Sequence, residues 1–132
     1  MKSKGLKLSC VLVLVLLSCS NKKNTLLGTW QVSSTFYKAT YQIIEDNGAI
    51  KAKVLYYDDD TTIYNYQEKQ SYYLFKDLKE KQNRYVDATS GATDTKTRRG
   101  ISIKIIHMDS LAVTSYVMGK PLTEIWIRSK NQ

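Results

Sequence analysis

Ile101-Ser102-Ile103-Lys104-Ile105-Ile106, His107-Met108-Asp109-Ser110, Leu111 to Met118, Gly119-Lys120-Pro121 and Leu122 to Arg128 read in succession as strand, turn, strand, turn and strand. In the first stretch apolar and polar residues alternate, the two-residue period of a chain whose side chains leave a sheet on opposite faces. The breaks are built from Asp, Ser, Gly and Pro, which turns favour. Strands joined this tightly must be antiparallel, because a parallel return needs a crossover of a dozen residues or more.

The same grammar extends upstream. Leu26 to Ser34 reads as a first strand and Tyr41-Gln42-Ile43-Ile44-Glu45 as a second, followed by the hairpin signal Asp46-Asn47-Gly48. Ala49 to Tyr57 answers it, with Ile50, Ala52, Val54 and Tyr56 on one face and Lys51 and Lys53 on the other. Asp58-Asp59-Asp60 closes that strand, Thr61 to Tyr66 and Ser71 to Phe75 read as the next two, and Lys76 to Gln82 reads as a hairpin end or short helical turn. Arg84 to Ala88 is a further strand, and Thr89 to Gly100 is the longest loop. Turn signals every eight to twelve residues, with no helix long enough for a βαβ crossover, predict an all-β fold. The expected architecture is a small antiparallel up-and-down barrel of about eight strands, closed because closure removes exposed edges. Ten Tyr against one Pro agree with a strand-rich chain.

The N-terminus reads as an address. Met1-Lys2-Ser3-Lys4-Gly5-Leu6-Lys7 is a basic region and Leu8 to Leu17 an apolar run too short to span a bilayer. It ends in Leu16-Leu17-Ser18-Cys19, which resembles the bacterial lipobox. That resemblance implies cleavage before Cys19 and a diacylglycerol thioether on its sulfur, with palmitate-type acyl chains holding the protein to the membrane at roughly 0.8 kcal/mol per buried CH₂. The expected layout is therefore a signal peptide at 1–18, a flexible lipidated tether at 19–25 and a barrel domain at 26–132. Ser20 after the cysteine implies the outer membrane, facing the periplasm. The only other cysteine, Cys10, falls in the leader, so the mature fold would have no disulfide and must be held by packing.

Charge excludes other classes. Lys2, Lys4 and Lys7 belong to the leader, and without them the formal charge of +8 drops to +5. That surplus, on an exported chain, does not call for a nucleic-acid partner. The length leaves no room for a multidomain enzyme.

Leu27-Gly28-Thr29-Trp30 at the start of the first strand resembles the Gly-x-Trp opening of the lipocalins and the wider calycin superfamily. Trp126-Ile127-Arg128 at the end is similar to the Trp-x-Arg ending of small bacterial lipocalin-like proteins. The resemblance implies that Trp30 packs across the closed end of the barrel, that Arg128 lies over its ring, and that the interior takes a small apolar or amphipathic ligand. The chain departs from full lipocalins in its shortness and in having no helix after the barrel.

The residues with chemical potential point to binding. His107, Asp109 and Ser110 share one hairpin turn, where they cannot chain as nucleophile, base and orienter. The single His and the absence of a mature thiol leave no metal set, and Asp58-Asp59-Asp60 lacks the spacing of a calcium loop. No catalytic residue, metal or cofactor is expected. Lys96, Arg98 and Arg99, with Lys104 nearby, form a basic loop that reads as a solvated loop or as one that meets lipid phosphates or an acidic partner. Tyr41, Tyr56, Tyr64, Tyr66 and Tyr73 fall on neighbouring segments and are the candidate ligand-binding residues. The expected function is a membrane-anchored ligand-binding module, the alternative a filled barrel that presents loops to an envelope protein as inhibitor or scaffold. Glu124 lies two residues from Trp126: if Trp126 faces inward, Glu124 and Arg128 do too and require a partnered pair, and if Ile125 and Ile127 face inward, both charges lie outside.

Overall fold

Alternation along each strand separates an inner from an outer set, and the inner sets meet. The computed structural model describes residues 21–87 and 100–130. Among them a short helix, α1 (Asn21–Leu26), precedes β1 (Gly28–Ser33), β2 (Lys38–Asp46), β3 (Ala49–Asp58), β4 (Ile63–Asn65), β5 (Tyr73–Lys81), β6 (Arg84–Asp87), β7 (Ser102–His107), β8 (Ser110–Val117) and β9 (Lys120–Arg128). Trp30 and Val32, Ala39, Tyr41 and Ile43, Ile50 and Ala52, Phe75 and Leu78, Tyr85, Ile103, Leu111 and Val113, and Trp126 all turn inward into one cluster.

Every strand pairs antiparallel with its neighbours, and β2 bonds to both β1 and β3 while β1 bonds to β9. The result is a closed up-and-down barrel of eight strands in a lipocalin-like layout, with β4 as one extra strand beside the far end of β3. An eight-stranded barrel is just wide enough for side chains to fill, and Trp30, Trp126, Phe75, Ile43, Ile103 and Leu111 fill it here. The seam is thin: the β1–β9 ladder consists of Trp30 opposite Arg128 and Gln31 opposite Ile127.

Hairpin chemistry explains the connections. Asn47 and Gly48 both take positive φ (51° and 78°), as do Met118 and Gly119 (52° and 75°), the backbone demanded by two-residue turns that match strand twist. The last turn is thus Met118-Gly119, one residue earlier than Gly119-Lys120-Pro121 implies, and β9 begins at Lys120. Pro121 is tolerated inside the strand because its neighbour opposite is Tyr116, next to the turn-closing pair Val117–Lys120, where no inward N–H is required.

Two expectations are corrected. Lys76–Gln82 is not a hairpin end or helical turn: Tyr73–Lys81 is one strand, because Phe75 and Leu78 are buried and the backbone pairs with β3 and β6 on either side. The stretch read as flexible tether contains α1, a helix too short to stand alone. Tertiary contacts hold it: Leu26 is buried, its carbonyl accepts the Trp30 Nε1–H at 2.9 Å, and Lys23 pairs with Glu45 at the end of β2.

Candidate functional site

The ends of the barrel are built differently. At the closed end Trp30 is fully buried beneath α1, and Arg128 stacks its guanidinium 4.2 Å from the centre of the Trp30 ring. A cation over an indole face is worth roughly 0.5–2 kcal/mol. The same guanidinium donates to the carbonyls of Leu27 (3.0 Å), Met108 (2.9 Å) and Thr25, and sits 3.4 Å from the Asp109 carboxylate. Gly28 is required there, since its φ is +135° and a Cβ would lie 2.5 Å from Arg128 Nη1. Gly28, Trp30 and Arg128 thus form one structural clasp.

The open end is lined by polar aromatics. Trp126 faces inward, so Glu124 and Arg128 share its face, while Ile125 and Ile127 stand half exposed on the outer wall. Arg128 is committed to the closed end, and Glu124 is left at the mouth without a cation within ion-pair distance among the described residues. Tyr37, from the β1–β2 loop, donates its hydroxyl to Glu124 Oε2 across the region where β1 and β9 part. Tyr57 stacks on Tyr37 with ring centres 5.5 Å apart, and Tyr41 stacks on Trp126 at 4.5 Å. Offset stacking of this kind fixes ring orientation beyond simple burial.

Electrostatics follow from that enclosure. Burial, then the Glu124 hydrogen bond, drives the Tyr37 hydroxyl far above the ordinary phenol range. Burial pushes Tyr41 up to about 12; its hydrogen bond with Tyr37 opposes the shift and the charge of Glu124 adds to it. Among the described residues two buried donors in the barrel, Trp126 Nε1–H and Tyr85 Oη–H, have no hydrogen-bond partner. A buried polar group without a partner is costly, so such groups mark places where a bound molecule could complete the bonding.

Of the five tyrosines expected to line a pocket, only Tyr41 belongs to the buried inward cluster. Residue Leu55 is a bulge: Tyr41 stands opposite Val54 and Thr40 opposite Tyr56, so the alternation of β3 shifts by one residue. Tyr57 turns inward instead of Tyr56, whose hydroxyl bonds Asp58 at 2.9 Å on the outside. Tyr73 is registered with outward Lys53 and lies 5.9 Å from both the Lys51 and Lys76 ammonium groups. Tyr66 sits 4.9 Å from Lys53. Tyr64, on β4, serves its own loop, donating to the Gln70 carbonyl and meeting Tyr72 edge-on. Tyr37 was missed because its strand-free loop position carries no periodic signal.

Other candidates resolve plainly. In the β7–β8 turn the Asp109 N–H reaches His107 Nδ1 at 3.4 Å on the exposed surface, and Ser110 is paired back to His107 in the ladder. The side chains of Asp58, Asp59 and Asp60 belong to a tip in which Asp59 Oδ1 collects the Thr61 and Thr62 amides. These bonds, with the Thr61 hydroxyl, hold the Asp59 carboxyl below its usual range. Among the described residues no group of three or more His, Cys, Asp or Glu could hold a metal. Lys96, Arg98 and Arg99 lie outside the described residues, as does Cys19. Lys104 stands exposed on the outer wall beside Ala112.

Comparison with protein-family models, curated proteins and solved structures returns no match for this chain. What the coordinates define is a class, the closed eight-stranded lipocalin-like barrel, with one end clasped and the other lined by tyrosines around a carboxylate.

Proposed function

We propose that this protein is a lipid-anchored binding protein of the bacterial cell envelope, a small calycin that takes an amphipathic ligand at the open end of its barrel. The observation that carries the reading is the inward cluster of Tyr37, Tyr41, Tyr57, Glu124 and Trp126 above a filled lower core. Mostly apolar walls with a few convergent polar groups are what small-molecule sites share. Because the closed half is packed, the ligand sits at the mouth, with no space to descend past Tyr41 and Trp126.

Anchoring at Cys19 fits the same orientation. The first described residue, Asn21, follows that cysteine by two positions and starts the helix at the closed end. Around that end Ile106, Met108 and Ile127 are exposed apolar side chains beside Lys22 and Lys23, a combination that suits a lipid surface and leaves the mouth facing away from it. The packed core also favours a second reading, in which the loops engage an envelope protein as inhibitor or scaffold.

Native mass spectrometry of protein purified from its own membranes tests these readings together. The expected result is a retained small molecule released by denaturation; a stoichiometric protein partner with no small molecule would favour the second reading. Cys19→Ala should release the protein from the membrane fraction or leave it unprocessed. A variant of mature mass still held in membranes would overturn the lipid anchor.

A further inference from the structure

The mouth has the wrong charge for a fatty acid. Glu124 projects into the barrel among Tyr37, Tyr41, Tyr57 and Trp126, and the only hydrogen bond it receives from the described residues is the neutral one from Tyr37. A carboxylate in a partly desolvated site ordinarily has a cation beside it. The one guanidinium on its face, Arg128, is held at the other end by Trp30 and three backbone carbonyls and cannot swing across Trp126. Lys38 and Lys120 are exposed at the same end and pair with no carboxylate among the described residues. Asp58 and Asp59, bonded by the Tyr56 and Tyr57 hydroxyls, add negative charge along the rim. A ring of aromatic faces around a negative charge attracts an organic cation twice, through the carboxylate and through the ring quadrupoles. The second observation is the Trp126 indole N–H, buried to 1% exposure inside the barrel with no acceptor among the described residues, which asks for a ligand carrying a lone pair as well.

Building on the reading of the mouth as a small-molecule site, we propose that it selects small organic cations, amines or quaternary ammonium compounds with an apolar body. The ammonium group sits against Glu124 beside the Tyr37–Tyr57 stack, and the apolar body lies on the rim above the buried Tyr41–Trp126 pair. A ligand that also bears a hydroxyl or carbonyl satisfies Trp126 Nε1–H. The tyrosines stay protonated at neutral pH, so their hydroxyls donate and do not compete as anions.

The test is calorimetric titration of the full mature protein with hexyltrimethylammonium, phenethylamine, hexanoate and hexanol. The expected result is binding of both cations at least ten-fold tighter than hexanoate, with hexanol between them. Glu124→Gln should erase most of that preference and leave hexanol unchanged; Tyr37→Phe, which keeps the ring and frees Oε2, should preserve or strengthen it. Near-ultraviolet circular dichroism of the Tyr41–Trp126 pair checks that each variant keeps its fold. Equal or tighter binding of hexanoate by the unmodified protein overturns cation selectivity yet leaves the mouth as a binding site. Retention of the full preference in a folded Glu124→Gln variant also overturns it. No binding of any of the four probes overturns both this inference and the reading it rests on.

Discussion

The closed and open ends of this barrel use the same materials, an indole and a charged residue from β9, for opposite ends. At the closed end Arg128 meets Trp30 with every hydrogen-bonding group directed to a fixed backbone carbonyl, and Trp30 Nε1–H is satisfied by Leu26. At the open end, among the described residues, Glu124 has one neutral donor and the Trp126 indole N–H has no acceptor. Saturated polar groups make a structural clasp; under-saturated ones mark the end proposed to take a ligand. The separation is physical: Glu124 and Arg128 share a face of β9 but stand four residues apart, about 13 Å along an extended strand, far enough for the two charges to be handed to different ends.

The contrast can be broken most forcefully at Trp30. Trp30→Ala is expected to cost ~3–5 kcal/mol, much of the stability of a domain this small. Urea unfolding should show a lowered midpoint with little change in slope, and an unchanged midpoint would mean that the clasp is not structural. Gly28→Ala should come next, at about 1–3 kcal/mol. Its Cβ would displace Arg128 Nη1 at 2.5 Å, and φ of +135° is strained for any side chain. The same denaturation measurement, with ligand binding at the mouth unaffected, checks it.

The open end should show itself in alkaline solution. Tyr41 titrates near 12 in the fold, and Tyr37 higher still, against about 10 in the unfolded chain. A raised folded value stabilises below pH 10, where both states are protonated, and that contribution is lost as pH climbs through the folded value. Stability should therefore fall between about pH 10 and pH 12, and Tyr41→Phe should flatten part of that slope in thermal scans. The smallest effect is expected from changing Tyr64 and Tyr66 together to Ala. Tyr64 bonds the Gln70 carbonyl and Tyr66 meets Lys53 of β3 on the outside, so probe binding at the mouth should change less than two-fold by titration. A loss of binding there would return the site to the β3–β4 wall.

Much of the barrel was legible because its cause is local. The alternation of Ile101, Ile103 and Ile105, the Asn47-Gly48 hairpin and the run from Leu111 to Arg128 each specify a strand or turn from neighbouring residues alone. The choice of Tyr56 over Tyr57 failed for an equally definite reason: one bulge residue, Leu55, reverses the face of everything after it, and no composition marks it. The strand through Lys76–Lys81 was hidden by its charges, which an outer face accepts freely.

Sequence by itself determined that strands form, roughly where they turn, and which residues near the ends carry the Gly-x-Trp and Trp-x-Arg pattern. Period and turn chemistry are properties of adjacent residues, and they survive without a partner. Only tertiary structure decided the inward side of β9, the rank of Tyr37 as the donor to Glu124 from 87 residues away, and the commitment of Arg128 to the opposite end. Those outcomes depend on closure, because a side chain's neighbours across a barrel are set by register and shear and not by anything written beside it in the chain.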